Sequence, residues 1–185
     1  MASVLVPLAQ GCEEIEAVTI VDLLRRGGVE VVTAGLDERP VRASRGTVLV
    51  PDTTLEQVLE RDFDMIALPG GQPGADNLAA DERLQRLLQH TAGRGAYTAA
   101  ICAAPRVLAD AGLLHGRQAT SFPGALDDRA VENLTYREQP VVTDRRVVTS
   151  RGPGTAMDFA LHLLELLQGR AKRDEVEAAL QRPPR

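Results

Sequence analysis

Long apolar runs and an excess of basic charge are both missing from this sequence. No apolar run approaches the roughly 18 residues that a membrane-spanning helix needs. The first apolar run stops at Gln10 and lacks the basic start of a signal peptide. The net charge of −5 argues against nucleic acid as a main partner, because phosphate binding requires a basic face. We therefore expect a cytoplasmic protein whose 185 residues form a single domain spanning 1–185.

Cysteine and histidine are also scarce. The two cysteines are Cys12 and Cys102, and in a reducing compartment they are expected to be thiols rather than a disulfide. The three histidines, His90, His115 and His162, are far apart in the sequence, and none directly follows Cys102. Because a metal site needs a cluster of ligands, we predict no bound metal.

What the sequence does contain is a regular alternation of apolar runs and helical patterns. The predicted strands are residues 3–9, 29–34, 65–68 and 97–101, with hairpins over 41–50 and 141–149. The predicted helices are residues 13–26, 55–60, 81–93, 103–111, 155–167 and 172–180, followed by a frayed tail over 181–185. This alternation predicts an α/β fold with a mostly parallel sheet and helices on both faces.

In such folds the functional site lies at the carboxyl ends of the strands. That rule selects three loops, over residues 10–16, 69–74 and 102–105. The third loop contains Cys102, and Glu16 ends the first.

Glu16 lies on the side of its predicted helix that also carries Ile20 and Leu24. An acid in the first helical turns is favoured by the helix dipole and can extend to water. Alternatively, the carboxyl is buried, and its pKa is then raised so that it holds or donates a proton near neutral pH. Helical periodicity alone leaves both interpretations open.

Cys102 follows a strand of small residues, YTAAI, and precedes Ala103-Ala104-Pro105. A nucleophile between a strand and a helix, with small neighbours, is the arrangement of a nucleophile elbow. The helix N-terminus is expected to lower the thiol pKa and to offer N–H groups to an oxyanion. A passive buried cysteine is the alternative, here and at Cys12. Pro69-Gly70-Gly71 ends another strand and is either an anion-binding loop or an ordinary turn.

Four segments together resemble the ThiJ/PfpI superfamily, namely LAQGCEEIEAVTIVDLLRRGG, LPGGQPGADNL, AAICAAPRVLA and TSRGPGTAMDFAL. The similarity runs from residue 3 to about 180. It is strongest to the branch that contains the Parkinson-disease-associated protein deglycase and bacterial YajL. The resemblance implies a flavodoxin-like three-layer sandwich, a homodimer and chemistry without a cofactor.

The resemblance also implies roles for individual residues. Cys102 would be a strained, oxidation-prone nucleophile with a protonated Glu16 hydrogen-bonded to its thiolate. The N–H groups of Gly71 and Ala103 would form an oxyanion pocket. It further places Gly70, Arg45, Arg151 and Phe122 around the substrate, and Arg25 and Arg26 near the dimer contact.

Two departures from the family pattern narrow the chemistry. Family members often carry a histidine near the cysteine, where this sequence has Phe122, and protease-like relatives have one directly after it, where this sequence has Ala103. A Cys–His hydrolase is therefore disfavoured, and Glu16 remains as the proton partner. Nothing in these residues suggests a thiamin-precursor site.

The resemblance thus implies a cysteine-dependent enzyme that removes or repairs reactive-dicarbonyl damage, of the glutathione-independent glyoxalase or protein deglycase type. Its substrates would be small dicarbonyls or glycated protein, with nucleic acid only as a glycated substrate. The alternative is a non-enzymatic oxidative-stress sensor or redox-regulated chaperone that works through oxidation of Cys102. Both roles use one thiol, so the sequence leaves both open.

Overall fold

The computed structural model describes residues 1–183, so the last two residues of the predicted frayed tail lie outside the described part. The strands are β1 Ser3–Leu8, β2 Glu30–Gly35, β3 Val41–Arg42, β4 Val48–Leu49, β5 Thr53–Thr54, β6 Met65–Leu68, β7 Tyr97–Ile101, β8 Gln118–Ala119, β9 Thr135–Tyr136, β10 Val141–Asp144 and β11 Val147–Ser150. The helices are α1 Glu14–Arg26, α2 Gly74–Ala80, α3 Glu82–Gly93, α4 Pro105–Asp110, α5 Ala156–Gln168 and α6 Arg170–Ala179.

Seven strands form the central sheet in the order β10-β11-β7-β6-β1-β2-β5. All neighbours pair in parallel except β10, which returns antiparallel to β11. The predicted hairpins are present as β3–β4 and β10–β11. A mostly parallel sheet confirms the predicted α/β class, and apolar side chains on both sides of it explain why the inner strands read as continuous apolar runs.

Two hydrophobic cores cover the two faces of the sheet. One packs α1, α5 and α6 against one face, and the other packs α2, α3 and α4 against the opposite face. Along β1, Val4 and Val6 belong to the first core and Leu5 to the second, as the two-residue period of a strand requires. These three layers confirm the expected flavodoxin-like sandwich.

Several local predictions were wrong in extent. Helix α4 begins at Pro105 rather than at residue 103, because Cys102 to Ala104 form the turn that leaves β7. The predicted helix 55–60 is a four-residue 3₁₀ turn, Leu55–Val58. Helix α2 was not predicted, and neither were β5 or the β8–β9 pair.

The strand order also fixes where a site can form. From β1 the chain moves to β2 on one side and then crosses to β6, β7 and β11 on the other. The connections after β1 and β6 therefore lie on opposite faces and leave a crevice at the carboxyl ends of these two strands. The loops after β1, β6 and β7 surround this crevice.

Candidate active site

Glu16 is held in the first turn of α1 and points inward. The preceding Glu13 is the N-cap of the helix, and its carboxylate accepts a hydrogen bond from the Glu16 N–H at 2.8 Å. The Glu16 side chain is fully buried, and its Oε2 accepts the Gly70 N–H at 2.7 Å. Of the two interpretations of Glu16, the structure shows the buried one.

Cys102 occupies a strained turn at the end of β7. Its φ of +65° lies in the left-handed region, which is costly for a residue with a side chain. The backbone holds this conformation on both sides: the Cys102 N–H donates to Ser150 O at 3.0 Å, and Phe122 N–H donates to Cys102 O at 2.8 Å. The residue remains 8% exposed. This is the geometry of a nucleophile elbow.

The glycines after β6 bring a second strand end against the cysteine. A Cβ on Gly70 would lie 2.7 Å from Cys102 Cβ and 2.9 Å from Ala103 N, so only glycine fits without displacement. Gly71 has a φ of +91°, and a Cβ there would lie 2.5 Å from Glu13 N. Both positions permit an approach of backbone to backbone that any larger residue would prevent.

Three groups meet at the sulfur of Cys102 as a result of this approach. The Cys102 thiol interacts directly with the Glu16 carboxyl and with the N–H groups of Gly71 and Ala103. The structure therefore brings together the four residues that the resemblance assigned to the reaction. Two of them contribute backbone groups alone.

Burial governs the protonation of Glu16. Removal from water raises the pKa of its carboxyl to about 7, and the charge on Glu13 adds to this, while hydrogen bonds from Gly70 and Cys102 oppose it. Its second oxygen, Oε1, is buried and has no hydrogen-bond partner of standard geometry within residues 1–183. A proton on this oxygen would satisfy it, so the carboxyl is suited to exchanging a proton near neutral pH.

The thiol pKa differs from the prediction. Burial, together with the charge and the hydrogen bond of Glu16, raises the pKa of the Cys102 thiol to about 12, against the lowering by the two backbone N–H groups. The predicted lowering of the thiol pKa was wrong for this state, because burial and the Glu16 charge outweigh the N–H groups at this turn. With Glu16 ionised the thiol is neutral, and a thiolate requires the proton to reach Glu16.

Three further residues, Phe122, Arg151 and Arg45, were predicted to line the site. Phe122 is 50% exposed, and its ring is 3.5 Å from where a Gly152 Cβ would be. Arg151 follows Ser150, whose carbonyl binds the Cys102 N–H. Arg45 is exposed on the β3–β4 hairpin. Within the described chain neither guanidinium forms a hydrogen bond or an ion pair, so neither is shown to act on the thiol.

Cys12 and Glu13 complete the surroundings. Cys12 is fully buried, and burial together with the charges of Glu14 and Glu13 raises its thiol pKa to about 12. Within residues 1–183 no carboxyl group forms a hydrogen bond with this thiol, which favours the passive interpretation. Glu13 was not singled out from the sequence, although it is 9% exposed and directs the Glu16 backbone. Its position three residues before Glu16, at the N-cap, was the available signal.

Within residues 1–183 the structure has neither a cluster of metal ligands nor a membrane-spanning helix. Residues 1–183 contain no group of three or more His, Cys, Asp or Glu side chains that could hold a metal ion. Over the same residues, every helix is too short or too polar to span a bilayer.

The fold and the site define a doubly wound α/β protein with a cysteine on a strained strand-to-helix turn beside a buried acid. The chain belongs to the DJ-1/PfpI family, whose sequence model matches residues 2–166. The resemblance seen in the sequence motifs is thereby confirmed.

Individual relatives agree with this assignment. Protein dj-1beta of Drosophila melanogaster is 42% identical over 96% of both chains, and its crystal structure superimposes with a TM-score of 0.94, covering 99% of each chain. The Parkinson disease protein 7 homolog of Danio rerio is 41% identical over 95% of both chains. A Caenorhabditis elegans relative, glutathione-independent glyoxalase DJR-1.2, is 38% identical over 95% of this chain and 92% of its own.

Two further relatives bear on length and on redox state. The chain spans about half, 46%, of Arabidopsis thaliana protein DJ-1 homolog A, at 41% identity over 96% of this chain. A structure described as Toxoplasma gondii DJ-1, oxidized, has a TM-score of 0.91 at 38% identity, covering 97% of this chain and 98% of that one.

Proposed function

We propose that this protein converts small 2-oxoaldehydes, such as methylglyoxal and glyoxal, into lactate and glycolate without glutathione, metal or organic cofactor. The observation that carries the proposal is the contact of the Cys102 thiol with a buried carboxyl of pKa about 7 and two backbone N–H donors. A nucleophile, a base and an anion pocket are the parts that addition to an aldehyde requires. One relative is named for this activity.

The first step is addition to the aldehyde. Glu16 carboxylate takes the Cys102 proton as the sulfur bonds to the aldehyde carbon, and the carbonyl electron pair moves to oxygen. The N–H groups of Gly71 and Ala103 stabilise this oxyanion, a contribution worth about 3 kcal/mol per donor. The oxyanion then takes the proton from Glu16, which leaves a neutral hemithioacetal and a carboxylate ready to act again.

The second step moves a proton between neighbouring carbons. Glu16 removes the hydrogen of the hemithioacetal carbon, and the electron pair flows to the adjacent ketone as an enediol. Glu16 returns the proton to that second carbon, which gives a thioester on Cys102. Water cleaves the thioester, releases the 2-hydroxy acid and restores the thiol, so the net change is the addition of one water molecule.

We further propose that the same residues remove dicarbonyl adducts from protein and guanine, a reaction called deglycation. Early adducts of dicarbonyls on protein thiols and amines, or on guanine, carry the same hydroxy-ketone unit as the hemithioacetal. Cys102 would displace the adducted group and then complete the same proton transfer. The half-exposed side chain of Phe122, whose N–H donates to the Cys102 carbonyl, supports access for such bulky substrates.

The test is a glutathione-free assay of methylglyoxal with chelator present, followed by proton NMR in D₂O. The expected product is lactate with deuterium at C2, because a proton held by Glu16 exchanges with solvent. Lactate that retains the substrate hydrogen would mean that the hydrogen moves between the two carbons without exchanging with solvent. Absence of lactate above the buffer control would overturn the function itself.

A second role uses the same thiol, and we propose it as the alternative: a sensor of oxidative stress or a redox-regulated chaperone. Cys102 is 8% exposed whereas Cys12 is fully buried, so oxidants reach only one of them. One hydrogen peroxide converts the thiol to a sulfenic acid and water, and a second gives the sulfinic acid. A protonated Glu16 would then donate a short hydrogen bond to the sulfinate.

Peroxide titration followed by peptide mass spectrometry tests this role. We expect a gain of about 32 Da on the peptide with Cys102, ahead of any change on the peptide with Cys12, because access and the proton acceptor favour the first. Glu16→Gln should change the rate of this oxidation, since it removes both the acceptor of the thiol proton and the negative charge that raises the thiol pKa. Equal oxidation of the two cysteines would contradict the sensor.

We also propose a homodimer formed through α1 and the β3–β4 hairpin. These elements expose apolar side chains that a monomer has no reason to present, namely Ile15, Val18, Val48 and Val50. Arg25 and Arg26 at the end of α1 pair with Asp52 and Asp22 of their own chain. A cytoplasmic location is proposed on the sequence, supported by the two free thiols.

Sedimentation velocity tests the dimer. The unaltered protein is expected at twice the 19.9 kDa chain mass, and Val18→Glu at the chain mass, because a charge would be buried in the contact. Val50→Glu is the second variant on the same surface. Unchanged sedimentation in both variants would exclude this face.

A further inference from the structure

We propose that Arg106 is a positioning residue. It fixes the position of the Gly71 N–H relative to the Ala103 N–H, the two donors of the oxyanion pocket. The inference rests on the proposed function for its kinetic consequences, but its geometry is independent of the substrate. Arg106 lies in the first turn of α4, four residues after Cys102. Arg106 lies within the segment AAICAAPRVLA, but the resemblance assigned it no role.

The guanidinium of Arg106 is largely buried between acidic partners. Its side chain is 13% exposed, its Nη1 donates to Asp76 Oδ1 at 2.7 Å, and its Nη2 donates to Asp128 Oδ2 at 3.0 Å. Asp76 belongs to α2, which follows β6, while Arg106 belongs to α4, which follows β7. The ion pair therefore joins the segment after β6 to the segment after β7, and these two segments meet at the site.

A third partner brings this network to the pocket. With the Gln72 amide oriented to satisfy both neighbours, its oxygen accepts Arg106 Nη1–H at 2.9 Å and its nitrogen donates to Asp76 Oδ2 at 2.6 Å. Gln72 is the residue directly after Gly71, whose N–H contacts the Cys102 sulfur. Arg106 thus contacts Gln72, the neighbour of the donor Gly71, and lies in α4, the helix that follows the other donor, Ala103.

Backbone hydrogen bonds fix each donor to its own helix. Gly71 O accepts the Ala75 N–H at 2.9 Å on the α2 side, and Ala103 O accepts the Arg106 N–H at 3.4 Å on the α4 side. Neither of these bonds crosses from one side to the other. The planar guanidinium makes that crossing with fixed geometry, which a flexible lysine would not reproduce.

Arg129 provides a matched comparison. It is 23% exposed and also forms two ion pairs, with Asp110 at 2.8 Å and with Asp128 at 2.6 Å. Asp110 lies at the end of α4, and Asp128 is shared with Arg106, so removing Arg129 leaves the contacts of Arg106 with Asp76 and Gln72 in place. Removing it should cost similar stability without disturbing the pocket.

The experiment compares Arg106→Met with Arg129→Met. We expect Arg106→Met to lower kcat for methylglyoxal by about tenfold to a hundredfold with little change in KM, since a displaced donor acts on the transition state. Arg129→Met should leave both constants within about threefold of the unaltered protein, the spread expected of a surface change. Arg106→Lys should be intermediate.

A second readout does not depend on turnover. The rate of iodoacetamide alkylation of Cys102 is measured against pH in the same variants, with Cys12→Ala as background. Glu16 faces the thiol in every variant, and Glu13 acts on Glu16, so differences between variants report the N–H donors. In Arg106→Met the midpoint should move to higher pH, because a thiolate loses one donor, and in Arg129→Met it should not move.

Gln72→Met keeps the ion pairs of Arg106 and removes only the link to the loop, so it should reproduce the alkylation shift even if Arg106→Met folds poorly. Equal midpoints in Arg106→Met, Gln72→Met and Arg129→Met would overturn the positioning role. Absence of lactate with the unaltered protein would overturn the proposed function instead, and the alkylation profiles would still decide the role of Arg106.

Discussion

Cys102→Ser is expected to reduce kcat/KM for methylglyoxal by about a thousandfold or more, the scale seen when a covalent nucleophile is removed. Serine keeps the shape of the turn and the contact with Glu16. Its hydroxyl is a far weaker nucleophile, and the buried carboxyl of pKa about 7 is a poor base for it. Lactate formation under saturating and limiting methylglyoxal measures the loss.

The matched control for this prediction is Cys12→Ser. It makes the same chemical change at the other, fully buried thiol, in the same hydrophobic core. Activity per folded molecule should stay within about threefold, with folding monitored by circular dichroism, since a buried polar substitution acts mainly on stability. Lactate formation by Cys102→Ser at the unaltered rate would remove the thiol from the mechanism.

Glu16→Gln is expected to have two effects of opposite sign, on activity and on stability. The glutamine amide can still accept the Gly70 N–H through its oxygen, so the loop should keep its position. It cannot take the thiol proton or move a proton between carbons. We therefore expect kcat to fall by about 10² to 10⁴, the usual contribution of general acid–base catalysis.

The stability effect follows from the raised carboxyl pKa. Glu16 titrates near pH 7 in the folded protein and near its ordinary 4.5 in the unfolded chain, so the folded state binds more protons between these values. Stability therefore falls as pH rises from about 4.5 to 7, by up to about 3 kcal/mol. Because glutamine does not ionise, Glu16→Gln should lack this loss and should gain stability at pH 8.

Urea unfolding at pH 5 and pH 8 measures this difference. The free energies of unfolding of the two proteins should be similar at pH 5 and should diverge at pH 8, with the variant more stable. A buried acid that weakens the fold while serving the reaction is a common compromise at active sites. Parallel pH dependence in the two proteins would mean that Glu16 does not titrate in this range.

Glu14→Gln is the control of opposite sign on the same helical turn. Burial alone would raise the pKa of Glu14, but hydrogen bonds from its own N–H, from Arg45 N–H and from the Ser44 hydroxyl lower it overall. A lowered folded pKa gives stability that is present at pH 8 and lost on acidification. Glu14→Gln should therefore be less stable than the unaltered protein at pH 8.

Some elements of the fold were accessible from residue patterns and others were not. The strands of the central sheet are apolar runs, and their alternation with periodic helices predicted the architecture. Helix α2 was missed because it has seven residues and buries only Gly74, Ala75 and Leu78, too few for a periodic signal. Strand β5 was missed because its pairing with β2 is decided by contacts distant in sequence.

The sequence by itself determined the family and the sandwich, and it predicted the residues of the site. The apolar side of α1 made Glu16 a candidate, small residues around Cys102 predicted the turn, and the resemblance added Gly71 and Ala103. The tertiary structure alone decided how protons are held there. The thiol pKa is raised rather than lowered because burial and the Glu16 charge outweigh the two N–H donors, and these groups come from three separate loops. No local pattern contains that balance, since it depends on how much water the assembled loops exclude.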